Sequence, residues 1–121
     1  MSSETYHEAL DKLTNRTKDM HRALLSLMEE LEAVDWYQQR IDATEDEELK
    51  AVLSHNRDEE KEHAAMVLEW IRRRDPKFDQ ELRTWLFTDR PLGADVNGEE
   101  GEAPARPLTA RLTVGAVRER S

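Results

Sequence analysis

The sequence contains no cysteine and few glycine, proline or aromatic residues. Its 121 residues include four glycines, four prolines and 6% aromatic residues. The absence of cysteine excludes disulfides, iron–sulfur clusters and thiolate zinc sites, so His, Asp and Glu remain as the available metal ligands. No apolar run is long enough to span a bilayer, and no basic start is followed by an apolar signal segment. We therefore expect a cytoplasmic protein that does not enter a membrane.

The charge of the chain limits its partners. The formal net charge is −9 and the sequence pI is about 4.9. This balance argues against binding to nucleic acid or to an anionic membrane surface, and it suits cations. The length allows one domain at most.

The positions of glycine and proline divide the chain. All four glycines and three of the four prolines lie after Thr88. We expect a helical domain over 1–88 and a flexible, disordered tail over 89–121. Near the end of that tail, Leu112 to Arg118 is again apolar. This segment is either a random end or a peptide that docks in a groove on another protein.

Two long helices are predicted upstream of the tail. Thr5 and Glu8 form a capping box, and the first helix is expected over about 6–40. Its apolar residues alternate spacings of three and four, which is typical of a helical packing seam. They are Leu10, Leu13, Thr17, Met20, Leu24, Leu27, Leu31 and Val34. A second capping box, Thr44 with Glu47, starts a second helix over about 45–73.

Pro76 marks the end of the second helix, because the residue before a proline avoids the α region. A short third helix is expected over about 77–87. The fold class is therefore all-α: an antiparallel two-helix hairpin, a short third helix and the tail. A hairpin leaves part of each apolar stripe in water, so we expect a homo-oligomer in which dimerisation completes a four-helix bundle.

The second helix carries a candidate metal site. Glu60 and His63 stand three residues apart and project from one helical face, a spacing that suits two ligands of one metal. The same face is apolar on both sides, and an unpaired carboxylate there is costly. A structural Glu–His ion pair is the alternative, since Glu-x-x-His also occurs by chance in a Glu-rich chain. Glu4 and His7 form such a copy at a helix end without apolar neighbours, and we interpret it as accidental.

Counting ligands favours a metal. Carboxylate di-iron bundles use one Glu from each of two helices and a Glu-x-x-His pair from each of the other two. Glu30 lies beside the packing seam of the first helix, so one chain holds half of that set. A two-fold axis would double it to four carboxylates and two histidines. Two divalent cations per dimer would balance the four carboxylate charges.

Two stretches carry a resemblance to a known family. Met28 to Tyr37, MEELEAVDWY, and Asn56 to Met66, NRDEEKEHAAM, resemble the encapsulated ferritins, which are ferritin-like cargo proteins of encapsulin nanocompartments. The resemblance covers both long helices. It extends to Leu112 to Arg118, which is similar to the cargo-loading peptides that bind the encapsulin shell, although Ala116 and Val117 depart from the usual residues.

The resemblance implies a ferroxidase with a ferritin-like fold. Such a protein oxidises Fe(II) to Fe(III) at a di-iron site between subunits and passes the product to the shell for storage as mineral. Family members form an open ring of ten subunits, a pentamer of dimers. The resemblance also implies a cytoplasmic location inside an encapsulin nanocompartment.

The resemblance assigns roles to individual residues. Glu30, Glu60 and His63 match the iron ligands, and Tyr37 matches a tyrosine beside them. Trp36 matches a residue near the site. Glu29 and Glu32 match a secondary acidic site that guides incoming metal, and calcium is a further candidate ion there. Solubility is the alternative role for those two glutamates, and an interface role is the alternative for the two aromatic residues.

Two other functions remain open at the level of sequence. One is a structural helical adaptor that recruits a partner through its tail, with Glu60 and His63 merely paired. The other is a protein that binds zinc, manganese or calcium without turnover.

Overall fold

The computed structural model describes residues 6–93, and all of its regular structure is helical. A single 3-10 turn, Leu10–Lys12, precedes three α-helices. These are α1 (Asn15–Ala43), α2 (Glu47–Arg74) and α3 (Pro76–Trp85). No strand occurs within residues 6–93, and the all-α prediction is confirmed. The expected docking peptide, Leu112 to Arg118, lies outside the described residues.

The start of α1 differs from the sequence prediction. The expected helical start near Tyr6 is wrong, because α1 begins at Asn15. Thr14 is the N-cap, and its side chain accepts a hydrogen bond from the Thr17 amide at 3.0 Å. Leu13 is extended and separates the 3-10 turn from α1. A Ser or Thr that satisfies an orphan amide in this way fixes the start of a helix, and here the cap lies nine residues beyond Thr5.

The hairpin turn uses a different cap from the expected one. Asp46, and not Thr44, is the N-cap of α2, and its carboxylate accepts from the Leu49 amide at 2.9 Å. Thr44 is the C-cap of α1, and its hydroxyl accepts from the Asp46 amide at 3.2 Å. Two acidic residues in the first turn of α2 complement the positive end of the helix dipole.

The end of α2 agrees with the sequence prediction. The helix stops at Arg74, Asp75 is its extended C-cap, and three arginines occupy the last turn. Pro76 then opens α3, a position where its missing N–H costs nothing. The chain divides between Asp75 and Pro76 into two compact units, the hairpin and the segment that begins with α3.

The α3 unit is a short amphipathic helix with its own ion pairs. Lys77 contacts Glu81 at 2.9 Å, and Arg83 contacts Asp79 at 2.9 Å, one helical turn apart in both cases. Such exposed pairs contribute little to stability. Beyond the helix, Arg90 donates a hydrogen bond to the Thr84 carbonyl.

The hairpin has a very small core. Within the described residues, only Ala64 and Ile71 are buried, and both lie on α2. Many large apolar side chains remain more than one third exposed, including Leu24, Met28, Leu31, Trp36, Leu49, Val52 and Met66. No helix among residues 6–93 is both long enough and apolar enough to cross a membrane. The exposed apolar area agrees with the expectation that a hairpin alone cannot close its core.

Candidate metal centre

Three side chains from the two long helices converge at the middle of the hairpin. Glu30 lies on α1, and Glu60 and His63 lie on α2. His63 Nδ1 is 3.5 Å from Glu30 Oε1 and 3.4 Å from Glu60 Oε1. One donor atom from each residue lies within 4.8 Å of the other two. Among residues 6–93, this is the group of three His, Asp or Glu donors compact enough to hold a metal ion.

The position of the group follows from helical geometry. Glu60 and His63 stand one turn apart on α2, and the antiparallel turn brings Glu30 opposite them. Glu30 is the sixteenth of the 29 residues of α1, and Glu60 is the fourteenth of the 28 residues of α2. The three donors therefore lie near the midpoint of both helices, and both ends of the hairpin are equally far from them.

The two carboxylates repel each other. The pKa of Glu30 is raised above its usual value, mainly because its carboxyl shares a hydrogen bond with Glu60, and partial desolvation and the charge of Glu60 add to this effect. The charge of His63 acts in the opposite direction. A proton held between two close carboxylates is the typical response to like charges in one site. A divalent cation would take the place of that proton.

His63 responds to the same two carboxylates. Desolvation lowers its pKa, but hydrogen bonds with Glu60 and Glu30 and their negative charges outweigh that effect, so the pKa is raised overall. Its side chain is 46% exposed, compared with 24% for Glu30 and 22% for Glu60. The imidazole thus forms the open side of the site, while the two carboxylates lie deeper.

The donor set fits a divalent metal of intermediate hardness. Two carboxylates and one imidazole suit iron, manganese or zinc, because imidazole is a common ligand of transition metals and carboxylates favour hard ions. Three donors leave several coordination positions unfilled at an ion that takes five or six ligands. A single hairpin therefore supplies three of the ligands that such an ion takes.

The other residues singled out from the sequence do not join this group within one hairpin. Glu29 and Glu32 are exposed, and neither belongs to a group of three donors in the described residues. Trp36 is 48% exposed. Tyr37 is partly buried, and the guanidinium carbon of Arg40 lies 5.6 Å from its ring centre. The secondary acidic site remains a prediction.

Sequence reasoning missed one link between the helices. Arg57 on α2 donates a hydrogen bond to Gln38 Oε1 on α1 at 2.8 Å, and a second one to Asp58 at 3.0 Å. Its side chain is only 21% exposed. Arg57 stands one turn before Glu60, so this hydrogen bond helps to fix the relative positions of the helices that carry the three donors. The spacing that identified Glu60 and His63 gave no sign of this contact.

Comparison with known proteins places this chain in a family. Residues 5–89 match the EncFtn-like family. The encapsulated ferritin-like protein of Rhodospirillum rubrum is 56% identical over 126 residues, which covers 97% of this chain and 90% of that protein. The encapsulin nanocompartment cargo protein EncC of Myxococcus xanthus is 32% identical, with 93% of this chain and 95% of that protein covered.

A solved structure shares the helical arrangement. The crystal structure of a Nitrosomonas europaea protein superposes with a TM-score of 0.72 at 62% sequence identity. The match covers 74% of this chain and 99% of the other. The hairpin with its three converging donors, the family match over most of the chain and these relatives lead to one conclusion: the chain belongs to the EncFtn-like family of ferritin-like proteins.

Proposed function

We propose that this protein is a ferroxidase that oxidises Fe(II) to Fe(III) with O2 at Glu30, Glu60 and His63. The observation that carries the proposal is the meeting of three donor atoms from two helices within 4.8 Å. The ferritin-like names of the relatives support iron as the substrate. A structural ion pair would need only His63 and one carboxylate. The hairpin instead places two carboxylates, Glu30 and Glu60, beside His63.

A second copy of the chain completes the site in this proposal. One hairpin supplies half of the donor set of a two-iron carboxylate bundle, and a two-fold axis through the site would supply the rest. The apolar side chains left exposed by the hairpin, such as Trp36, Val52 and Met66, provide the area that such a dimer would bury. Four carboxylates and two histidines would then face two iron ions per dimer.

Each donor has a distinct task. Glu30 and Glu60 supply negative charge, which favours Fe(III) over Fe(II) because the ferric product carries the higher charge. His63 must release its proton before Nδ1 can bind, so iron binding expels a proton from the site. Every Fe(II) that is oxidised loses one electron, and O2 accepts these electrons. Trp36 and Tyr37 lie on α1 beyond Glu30.

Glu29 and Glu32, also on α1, would attract incoming cations, including calcium.

The names of the relatives suggest where the product goes. The Rhodospirillum rubrum relative is described as encapsulated, and the Myxococcus xanthus relative as an encapsulin nanocompartment cargo protein. We propose that this protein is also cargo of an encapsulin shell, bound through Leu112 to Arg118, and that the shell stores the ferric product as mineral. We propose a ring-shaped decamer as the assembly inside the shell.

The proposal is tested by adding Fe(II) to the full chain in air and following ferric absorbance. We expect oxidation well above the protein-free rate, and we expect Glu30→Ala to reduce it to that rate. Glu59→Ala is the control for the loss of one carboxylate, since Glu59 pairs with His55 at 3.6 Å and lies outside the group of three donors. Wild-type oxidation no faster than in buffer would overturn the ferroxidase proposal. Tight metal binding without oxidation would then favour a protein that holds metal without turnover.

A further inference from the structure

The open end of the hairpin is basic, although the chain as a whole is acidic. This end comprises the start of α1, with the segment just before it, and the last turns of α2. Residues 11–22 and 69–75 contain seven Lys or Arg against four Asp or Glu, whereas the whole chain has a net charge of −9. Charges close to a surface site outweigh distant ones, because salt screens the distant ones. The open end is therefore the part of the hairpin that suits an anion.

A recess of about 450 Å³ lies at this open end. Its volume falls within the range of about 300–1,000 Å³ that is typical of sites for small molecules. It is lined by two half-buried apolar residues and four charged residues: Met20, Trp70, Arg16, Asp19, Arg73 and Arg74. We refer to it as the arginine recess.

Two of these arginines are held in place. Arg16 donates a hydrogen bond to the Arg74 carbonyl at 2.8 Å, which joins the start of α1 to the end of α2. The guanidinium carbon of Arg74 lies 4.2 Å from the centre of the Trp70 ring. A guanidinium that stacks on an aromatic ring can still donate hydrogen bonds from the edge of its plane. Both side chains are thus positioned before any ligand arrives.

The other two charged residues of the recess form ion pairs with neighbours on their own helices. Asp19 pairs with Arg22 at 2.6 Å on α1. Arg73 pairs with Glu69 at 2.7 Å on α2. The negative charge of Asp19 is therefore offset locally, and Arg73 already has a carboxylate partner.

Arg16 and Arg74 differ from Arg73 in this respect. Within residues 6–93, neither of them forms an ion pair with a carboxylate, whereas Arg22, Arg57 and Arg73 do. Two positive side chains therefore meet at one recess without a counter-charge from the described part of the chain. An anion bound between them would replace their mutual repulsion with attraction.

We propose that the arginine recess binds a phosphate monoester of about the size of a nucleoside monophosphate. Arg16 and Arg74 would hold the phosphate, because guanidinium groups bind phosphate oxygens through paired, charge-assisted hydrogen bonds. Met20 and Trp70 would contact the organic group. Inorganic phosphate alone would leave this apolar wall in water, whereas an organic group would cover it.

The arginine recess is separate from the metal centre. Arg16 lies fourteen residues before Glu30, and Arg74 lies fourteen residues after Glu60. Fourteen residues correspond to about 21 Å along a helix. A phosphate in the recess would therefore not be a ligand of the metal, and the inference does not depend on the proposed function.

The test is calorimetric titration of the metal-free full chain at low salt in a buffer without phosphate. Adenosine monophosphate, inorganic phosphate and adenosine are titrated separately. We expect adenosine monophosphate to bind more tightly than inorganic phosphate, and we expect no binding of adenosine. The affinity for adenosine monophosphate should fall as NaCl is added, because salt screens the exposed guanidinium groups.

Three variants locate the binding site. Arg74→Gln is expected to weaken the binding of adenosine monophosphate by about 10-fold or more, because a charge-assisted contact is lost. Arg74→Lys should retain part of the affinity, since it keeps the charge but not the planar pair of donors. Arg40→Gln is the matched control: it removes the same charge from an arginine whose guanidinium carbon lies 5.6 Å from the centre of the Tyr37 ring. Circular dichroism checks that all three variants stay helical.

Several results would overturn the inference. One is the absence of binding of adenosine monophosphate to the wild type. Equal affinities for adenosine monophosphate and inorganic phosphate would exclude a role for the organic group, and equal affinities for adenosine monophosphate and adenosine would exclude a phosphate site. Equal losses in Arg74→Gln and Arg40→Gln would show that binding follows net charge and not this recess. None of these measurements involves iron, so the ferroxidase proposal is judged separately.

Discussion

His63 on α2 faces Glu30 on α1 across the hairpin, with 3.5 Å between Nδ1 and Oε1. This contact joins residues that are 33 positions apart in the sequence. Because Glu60 also approaches the same nitrogen, at 3.4 Å, the imidazole lies between two carboxylates from different helices. The site therefore depends on the correct packing of α1 against α2 as well as on the Glu-x-x-His spacing.

Removing the imidazole should abolish iron oxidation without unfolding the protein. We expect His63→Ala to slow the increase in ferric absorbance by more than about 10-fold. Changing a residue that only supports a metal ligand typically costs at least that much, and His63 is proposed as a ligand itself. His55→Ala is the matched control, because it makes the same change on α2 at a residue that pairs with Glu59 and lies outside the group of three donors. Circular dichroism checks that both variants stay helical. Equal losses in the two variants would contradict the assignment of His63.

Iron binding should weaken as the pH falls. The raised pKa of His63 means that the metal-free protein stabilises the charged imidazole. That stabilisation is complete below pH 6.5, the usual pKa of histidine, and it disappears as the pH rises through the raised pKa. The raised pKa of Glu30 acts in the same direction, since protons are favoured in the empty site. Metal competes with both protons. Anaerobic Fe(II) titrations should show markedly tighter binding at about pH 8 than at about pH 6. A pH-independent affinity would contradict this view of the site.

The hydrogen bond between Arg57 and Gln38 should stabilise the hairpin. Its loss is expected to cost about 1 kcal/mol of unfolding free energy, because Arg57 is largely covered and the partner amide loses a charged donor. A double-mutant cycle with Arg57→Ala, Gln38→Ala and both together isolates the interaction. Urea unfolding of the four proteins gives the coupling energy. Strict additivity of the two single changes would show that the contact contributes nothing.

Acid should remove a stabilising contact from the last turn of α2. Hydrogen bonds from Arg72 and Arg73 lower the pKa of Glu69 to about 2 from a usual value of 4.5. A lowered pKa means that the ionised Glu69 stabilises the folded protein. This contribution is complete above pH 4.5 and is lost as the pH falls through about 2. We expect the difference in urea midpoint between the wild type and Glu69→Gln to be constant above pH 4.5 and to shrink below it. A difference that persists unchanged near pH 2 would contradict the ion pair.

Much of the hairpin and its candidate site follow from local sequence patterns. The Glu-x-x-His spacing predicted that Glu60 and His63 share one helical face, and Glu30 was singled out because it lies beside the packing seam of the first helix. Helix starts were harder to predict, because several Ser, Thr and Asp side chains compete as caps. Thr14 and Asp46 are the caps in the structure, where Thr5 and Thr44 had been expected.

Contacts that depend on the register between helices were out of reach of the sequence. The hydrogen bond from Arg57 to Gln38 requires two side chains on different helices to lie at the same height along the hairpin. Spacing within one helix does not determine that register. The stacking of Arg74 on Trp70 shows the same limit. Three arginines occupy the last turn of α2, and the hydrogen bond from Arg16 on α1 to the carbonyl of Arg74 is likewise a tertiary feature.

The central claim is that two copies of the chain form one iron-oxidising site, and the dependence of rate on chain concentration tests it most directly. Initial rates of ferric absorbance are measured over a dilution series of the full chain, with sedimentation on the same samples. If two chains form the site, the rate per chain falls on dilution in parallel with the fraction of assembled chains. A rate per chain that stays constant through dissociation, or that never exceeds the rate in buffer, would contradict the claim.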